Sequence, residues 1–379
     1  MKAIINGKII KGDQVLTGYV LLFDEEIKDI IPKEQFENEN CEEVIDAKGD
    51  YVSPGFLNLH IHGCAGSDVM DDAEKNIRMM RQNLVKTGVT AFLPTTMTYD
   101  FARIHKAFEK LRQAMQVNDG ARVLGANVEG PFINVEYKGA HDPQYIVKPE
   151  FDLIKDYTDV IRIMTVAPEL IEDQSFIHKC KDNNIILSLG HSAATYDQAV
   201  DAIQNGFSHI THMYNAMPVF NHRKPGVIGA AMDTNAMCEI ITDNIHVHPA
   251  MQRILLKQKG LDKVVLVTDS MKACMLSDGE YELGGQDVIV ENKTAKLKNG
   301  IIAGSVLTMD QAVYNFKNNT GISIQDVVKM VTENPAKELK LYHELGSLEV
   351  GKKADITIFN DKIEIATTLV NGEVVYGRK

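Results

Sequence analysis

Eight short apolar segments, separated by stretches with a helical pattern, constrain the fold more than any other feature of this sequence. The segments are Tyr51–Leu59, Val89–Pro94, Val123–Val128, Ile161–Val166, Ile185–Leu189, His209–Thr211, Cys238–Ile241 and Val264–Thr268. Alternating strand and helix predicts a parallel sheet, because each helix returns the chain to the edge where the previous strand began. Eight such units in about 290 residues predict an α/β fold, a TIM-like (β/α)8 barrel, rather than an open sheet.

Both ends of the chain carry short β segments instead. Ala3–Ile5 and Lys8–Ile10 flank Asn6-Gly7, and Thr368–Val370 and Glu373–Val375 flank Asn371-Gly372, which are two-residue hairpin signals. Ala354–Phe359 is a further strand candidate, and we find nothing similar between the termini. We therefore expect a small β-sandwich domain built from residues 1–50 and 346–379, with the barrel at 51–345 inserted between them.

The net charge limits the classes of partner that we expect, and the cysteine pattern indicates the redox state of the compartment. The formal net charge is −12 over 379 residues, which argues against a general binder of nucleic acid or of an anionic membrane. The five cysteines have no CxxC spacing, which favours a reducing compartment over a disulfide framework. The first residues lack the apolar core of a signal peptide, and every apolar run is too short to span a membrane. We expect a cytoplasmic protein.

Side chains typical of metal ligands stand at the ends of five predicted strands. They are His60, His62, Glu129, His191, His212 and Asp269. Residues two apart on a strand share a face, so the first two imidazoles converge. The carboxyl ends of barrel strands meet at one mouth, so all six should face a common centre. Imidazole and carboxylate ligands suit zinc, iron or manganese, so the sequence predicts a site for one or two divalent metal ions.

Each of these residues also has an ordinary structural explanation when taken alone. A histidine at a strand end is commonly a half-buried hydrogen-bonding residue. Glu129 can cap the next helix, and Asp269 can be a helix N-cap. Six such residues at the strand ends of one barrel are harder to attribute to packing.

The loops after the strands carry further candidates for substrate contact. His141 follows the third strand and His246 follows the seventh, and both can reach the mouth. Arg223 lies in the basic segment Asn221–Gly226, which is either a solvated loop or an anion clamp, since arginine can hold phosphate or carboxylate by two parallel hydrogen bonds. Asn215 follows His212 closely enough to meet a polar substrate.

At one further position the evidence for substrate contact is weaker, and at another the sequence argues against it. The segment Ile302-Ala303-Gly304 can approach a ligand through its backbone, although a single glycine turn is a weak signal. His209 shares a predicted strand with His212 but has the opposite parity, so we expect it to face away from the site.

Several of these segments resemble the amidohydrolase superfamily. They are Pro54–Gly63, Gly190–Ser192, Thr211–Met217 and Val267–Asp269. Asn127–Phe132 together with Lys138–His141 is similar to the branch that deacetylates phosphorylated N-acetyl amino sugars, and Gly346–Asp355 is similar to the usual return into the small β domain. The resemblance runs essentially from end to end.

The resemblance implies hydrolysis of the acetamide of N-acetyl-D-glucosamine 6-phosphate to D-glucosamine 6-phosphate and acetate, in amino-sugar catabolism and cell-wall sugar recycling. Residue by residue, Glu129, His191 and His212 match the principal metal ligands of the family. His60 and His62 match ligands of a second ion that only some members hold. Asp269 matches the catalytic acid/base, and His141 is a second catalytic candidate. The matches to substrate-contacting positions are Ala140, His141, Asn215, Ala216, Arg223, Asp243, Asn244, Ile245, His246, Ile302, Ala303 and Gly304.

By the same resemblance His246 serves the neighbouring subunit, which implies a homodimer with a shared active site. Two alternatives stay open. One is a different amidohydrolase chemistry, on another N-acyl sugar, a cyclic amide or a purine. The other is a non-catalytic scaffold that keeps the barrel without its metal.

Overall fold

A nearly closed barrel of eight parallel strands forms the centre of the computed structural model, which describes residues 1–37, 41–71 and 74–378. The strands are Phe56–Ile61, Val89–Thr96, Ala126–Glu129, Ile161–Val166, Ile186–Leu189, Phe207–Ile210, Met237–Ile241 and Val264–Val267. Consecutive strands pair in parallel. A parallel bridge between Ile61 and Ser270 links the first strand to the chain just after the eighth. The predicted (β/α)8 barrel is confirmed.

Helices follow the barrel strands. In the described part of the chain they are Glu74–Leu84, Phe101–Ala114, Ser175–Asp182, Tyr196–Asn205, Gly226–Asp233, Pro249–Lys259, Met309–Thr320, Ile324–Lys329 and Glu333–Glu338. Thr195 caps the fourth helix by a capping box with Gln198. No helix among these residues is long and apolar enough to cross a bilayer.

The two termini form two facing sheets. One sheet contains, in order, Ile27–Pro32, Tyr19–Phe23, Lys2–Ile5 and Glu43–Asp46. The other contains Glu373–Gly377, Ile365–Val370, Ile356–Phe359, Tyr51–Pro54, Lys8–Lys11 and Gln14–Leu16. Ile4 and Phe23 of the first sheet share an apolar core with Val52 and Ile356 of the second. This is the β-sandwich expected from both ends of the chain.

One of the two predicted terminal hairpins is wrong. Lys2–Ile5 and Lys8–Lys11 lie in different sheets, because Asn6 has a φ of 56° but Gly7 is outside the positive-φ region that the second position of this turn requires. The other hairpin is confirmed, with Asn371 and Gly372 at φ of 50° and 74°.

The segment predicted as a single strand over Tyr51–Leu59 is two strands. Tyr51–Pro54 pairs within the terminal sheet, and Phe56–Ile61 begins the barrel. The chain passes from the terminal sheet to the barrel at Gly55, where a Cβ atom would lie 2.1 Å from the Thr90 hydroxyl. The domain bounds of 1–50, 51–345 and 346–379 stay a prediction.

A three-stranded antiparallel sheet after the eighth barrel strand was missed. It comprises Gly279–Leu283, Gln286–Glu291 and Thr294–Leu297. The expectation that β segments are confined to the termini is therefore wrong. The pair Gly284-Gly285 between two alternating segments is a hairpin signal that could have revealed this sheet.

Candidate metal centre

Three of the strand-end residues sit in a backbone conformation that non-glycine residues rarely adopt. His191, His212 and Asp269 have φ of 47°, 28° and 49°. Such conformations cost free energy and concentrate at functional sites. The chain turns sharply at the end of each strand, and the three side chains meet others of the predicted set at the mouth of the barrel.

The carboxylate of Glu129 is the centre of the cluster. Its Oε1 lies 2.9 Å from Nε2 of His212 and 3.1 Å from Nε2 of His191. Its Oε2 lies 3.1 Å from Nε2 of His62 and 3.4 Å from Nε2 of His141. All five side chains are buried. One carboxylate therefore connects histidines from three strands and a loop.

Asp269 completes the other half of the cluster. Its Oδ1 lies 3.2 Å from Nε2 of His62 and 3.4 Å from Nε2 of His60. Within the described part of the chain, two groups of residues have ligand atoms within 4.8 Å of one another. One group is His60, His62 and Asp269, and the other is Glu129, His141 and His191. His212 belongs beside the second group through its contact with Glu129. The structure thus brings all six predicted ligands together.

The donor atoms fit a divalent ion. Nε2 of His60 is buried, has no hydrogen-bond partner among the residues that the structure describes, and lies 3.6 Å from Oε1 of Glu129. The Nε2 atoms of His191 and His212 are 3.0 Å apart. Two nitrogens at metal–nitrogen distances of about 2.0–2.1 Å and right angles to each other would be separated by about 3 Å.

The Nδ1 atoms of His62 and His191 are held by groups that fix the tautomer. Nδ1 of His62 lies 3.1 Å from the carbonyl oxygen of Thr95, and Nδ1 of His191 lies 2.7 Å from that of Tyr137. A carbonyl only accepts, so Nδ1 carries the proton in each ring. Nε2 is then the nitrogen that can offer its lone pair to a metal ion at the centre, which is the arrangement a metal-binding histidine needs.

The electrostatics of the cluster favour a cation. Burial opposes a charge on the two imidazoles of the first strand, but the nearby carboxylates outweigh it. They raise the pKa of His60 well above its usual value and that of His62 to about 9. Burial likewise opposes ionisation of Glu129, yet the surrounding histidines hold its pKa well below the usual value. The field that favours protons on these imidazoles also favours a divalent ion.

His141 differs from the other histidines. Burial lowers its pKa to about 4, so the ring is neutral near pH 7. Its Nδ1 accepts from the backbone N–H of Thr98 at 3.3 Å. The single ring proton is therefore on Nε2, which points into the cluster as a neutral donor.

A cavity of about 270 Å³ opens onto this cluster. The predicted substrate residues that line it are Ala140, His141, Asn215, Ala216, His246, Ile302 and Gly304. Ala303 is buried nearby, and its side chain is not part of the lining. Asp243, Asn244 and Ile245 line a separate cavity, although Oδ2 of Asp243 holds Nδ1 of His246 at 2.6 Å.

Arg223 does not line the cavity of this chain. Its side chain is exposed, with Nη1 at 2.9 Å from Nε2 of the neighbouring His222. The anion clamp suggested by the sequence is therefore not assembled with the other substrate residues in the single chain.

Sequence reasoning missed several residues around the site. Met97, Leu283 and Ile301 add apolar surface to the cavity. Leu283 comes from the missed antiparallel sheet, whose Gln286 donates its side-chain N–H to the carbonyl oxygen of Ala140. The hairpin signal at Gly284-Gly285 could have placed this sheet, but no local pattern indicates where it packs.

His209 has more contact with the centre than its parity suggests. It does not line the cavity, but its Nε2 is 3.1 Å from Glu239, a carboxylate that also holds His60. His209 thus lies outside the cavity, as its parity predicts, and is linked to the metal centre through Glu239.

A metal-ligand cluster at the mouth of a (β/α)8 barrel, with a sandwich built from both termini, defines a class of metal-dependent hydrolases. Residues 51–375 match the Amidohydrolase family, and the chain belongs to it.

Several individual proteins are similar to this chain over most of its length. The N-acetylglucosamine-6-phosphate deacetylase of Bacillus subtilis is 37% identical, over 97% of this chain and 95% of its own. The N-acetylgalactosamine-6-phosphate deacetylase of Escherichia coli O157:H7 is 34% identical, over 87% of this chain and 89% of its own. The crystal structure of N-acetylglucosamine-6-phosphate deacetylase from Pasteurella multocida superposes with a TM-score of 0.93 at 34% identity, covering 98% of this chain and 99% of that one.

Proposed function

We propose that this protein hydrolyses the acetamide of N-acetyl-D-glucosamine 6-phosphate to D-glucosamine 6-phosphate and acetate, in amino-sugar catabolism and cell-wall sugar recycling. The observation that carries the proposal is the position of Asp269, which lies against the ligand cluster and lines the same cavity as the neutral N–H donor of His141. The names of the full-length relatives support the substrate.

Glu129, His191 and His212 would hold one divalent ion, and His60, His62 and Asp269 are placed to hold a second. An ion bound there supplies Lewis acidity, which lowers the pKa of a water molecule from about 15.7 toward about 7. Zinc, iron and manganese all suit these ligands.

Asp269 acts as the acid/base. Burial opposes its ionisation, but His60 and His62 lower its pKa, so it is a carboxylate at neutral pH. It accepts the proton of the attacking water and returns it to the departing sugar amine, because an amine leaves poorly as its anion. Because Asp269 lies on the cavity wall, its oxygens would be next to both the attacking water and the sugar amine.

His141 stabilises the charge that develops on the acetyl oxygen. Its Nε2–H is a preorganised donor beside the cluster, in a buried site where such a hydrogen bond is stronger than in water. Ala140, Asn215, Ala216, His246, Ile302 and Gly304 would surround the sugar.

Arg223 holds the 6-phosphate. The exposed guanidinium lies in the basic segment after the sixth strand, in a chain whose net charge is −12. A second chain, or a movement of this loop on binding, would bring it to the cavity.

The functional unit is a homodimer with a shared active site. Exposed apolar side chains on the loops after the last three barrel strands support this proposal, and they are Val219, Phe220, Ile245, Met275 and Leu276. Ile245, Met275 and Leu276 line one surface cavity, and exposed apolar surface of this kind commonly marks an interaction site. Light scattering that gives the mass of one chain would contradict it.

A cytoplasmic location agrees with the cysteines, which are all free, four of them buried. A second candidate substrate is the 4-epimer, N-acetylgalactosamine 6-phosphate, because a relative with 34% identity carries that name.

The test is acetate release after metal stripping and after adding back zinc, iron, manganese or cobalt. We expect release from N-acetylglucosamine 6-phosphate that depends on the ion, with the galactosamine epimer measured in parallel. No release from either sugar with any ion would contradict the proposal.

A further inference from the structure

The carboxylate of Glu239, in the middle of the seventh barrel strand, accepts hydrogen bonds from three directions. Its Oε2 lies 2.9 Å from Nδ1 of His60 and 3.1 Å from the backbone nitrogen of His212. Its Oε1 lies 3.1 Å from Nε2 of His209. The side chains of Glu239, His60 and His209 have no exposed surface. Glu239 does not line the cavity and takes no part in the steps above.

A fully buried carboxylate is costly unless it is paired. His209 is the partner, because its Nδ1 lies 3.1 Å from Oε1 of Glu338 and each of its nitrogens faces a carboxylate. Burial opposes a charge on this ring, but the two glutamates raise the pKa of His209 to about 9. The imidazolium thus offsets the charge of Glu239 and leaves Oε2 free to accept.

Oε2 determines the tautomer of His60. A carboxylate oxygen only accepts, so Nδ1 of His60 carries a proton and Nε2 is the nitrogen left to bind an ion. That Nε2 is the buried nitrogen without a hydrogen-bond partner, 3.4 Å from Asp269. The same oxygen holds the backbone N–H of His212, which stands at a φ of 28°.

We propose that Glu239 is a positioning residue for the metal centre, which sets the tautomer and orientation of His60 and anchors the turn that carries His212. One buried oxygen thereby links a ligand of each ion. The inference rests on the proposed metal centre and concerns ion affinity rather than bond cleavage.

The first experiment measures zinc and cobalt binding to the metal-stripped full chain by calorimetry and by competition with a chelator, without substrate. Glu239→Gln keeps the size of the side chain but removes its charge and one acceptor. We expect the Kd of the more weakly held ion to rise about 10–100-fold, as for other residues that hold metal ligands. Glu338→Gln is the control, because it leaves both contacts of Oε2 in place, and its effect should be several-fold smaller.

The outcomes separate this inference from the proposed function. A wild-type chain that binds two ions, with a Glu239→Gln variant of the same stoichiometry and affinity, overturns the inference alone. A wild-type chain that binds no ion overturns both. The loss of affinity in Glu239→Gln supports the inference even if no acetate is released from any sugar.

A second measurement does not depend on the folding of Glu239→Gln. In the zinc-loaded wild-type protein labelled with ¹⁵N-histidine, the ring signals of His60 can be assigned through their loss in His60→Gln. We expect a slowly exchanging proton on Nδ1 and none on Nε2. A His60 ring without a proton on Nδ1 would overturn the assignment, whatever the stability of Glu239→Gln.

Discussion

The hydroxyl oxygen of Thr98 lies 2.8 Å from Nδ1 of His141, and the backbone N–H of Thr98 points at the same nitrogen. Since the backbone group can only donate, the ring proton of His141 is directed into the cavity. Thr98 thus orients the donor that the proposed mechanism assigns to the developing oxyanion.

Replacing His141 by alanine should lower kcat by about 10²–10³-fold, the effect of losing one oxyanion donor. Thr98→Val keeps the backbone N–H but removes the hydroxyl, so we expect a smaller fall in kcat, about tenfold, with little change in KM. Steady-state kinetics of acetate release check both values. If Thr98→Val were as damaging as His141→Ala, its role would be structural rather than orienting.

Asp269→Asn should reduce kcat by about 10²–10⁴-fold, because the amide cannot carry the proton from the water to the amine. The ions should remain bound through the histidines and Glu129. Metal content is measured on the same sample as turnover. Turnover at the wild-type rate would rule out the acid/base assignment. Loss of both ions would show that Asp269 is needed mainly as a metal ligand.

Arg223→Ala should raise KM for the phosphorylated sugar by about 10–100-fold, since a bidentate charge-assisted contact to phosphate is lost. The value of kcat/KM for unphosphorylated N-acetylglucosamine should not change. Lys224→Ala is the matched control, because it removes a neighbouring exposed cation. An equal effect of Arg223→Ala on both sugars would exclude the phosphate clamp.

Gly190→Ala should destabilise the protein by about 1–3 kcal/mol through overpacking. A Cβ atom at Gly190 would lie 2.6 Å from Cβ of Thr211 and 3.0 Å from Cγ2 of Thr165, and both are in the buried interior. At Gly279 the nearest atom would be 3.6 Å away, so Gly279→Ala should stay within about 0.5 kcal/mol of wild type. Urea unfolding of the metal-free proteins measures the difference, and equal midpoints would show that the barrel relaxes around the new methyl group.

The sequence by itself determined the barrel and which candidate metal-binding side chains stand at its strand ends. Strand and helix periodicity is local, and parallel strands bring their carboxyl ends to one mouth, so His60, Glu129 and Asp269 could be grouped before any coordinates were known. The sandwich from both termini followed from the same local patterns.

Only the tertiary structure decided which groups form hydrogen bonds to those side chains and which residues complete the cavity wall. Glu239 and Thr98 look like ordinary strand and loop residues, and their contacts with His60 and His141 join positions 179 and 43 residues apart. Leu283 reaches the cavity from a sheet whose packing is non-local, and the strands on either side of Asn6-Gly7 pair in two different sheets. Periodicity specifies elements, whereas contacts between distant residues depend on how the whole chain packs.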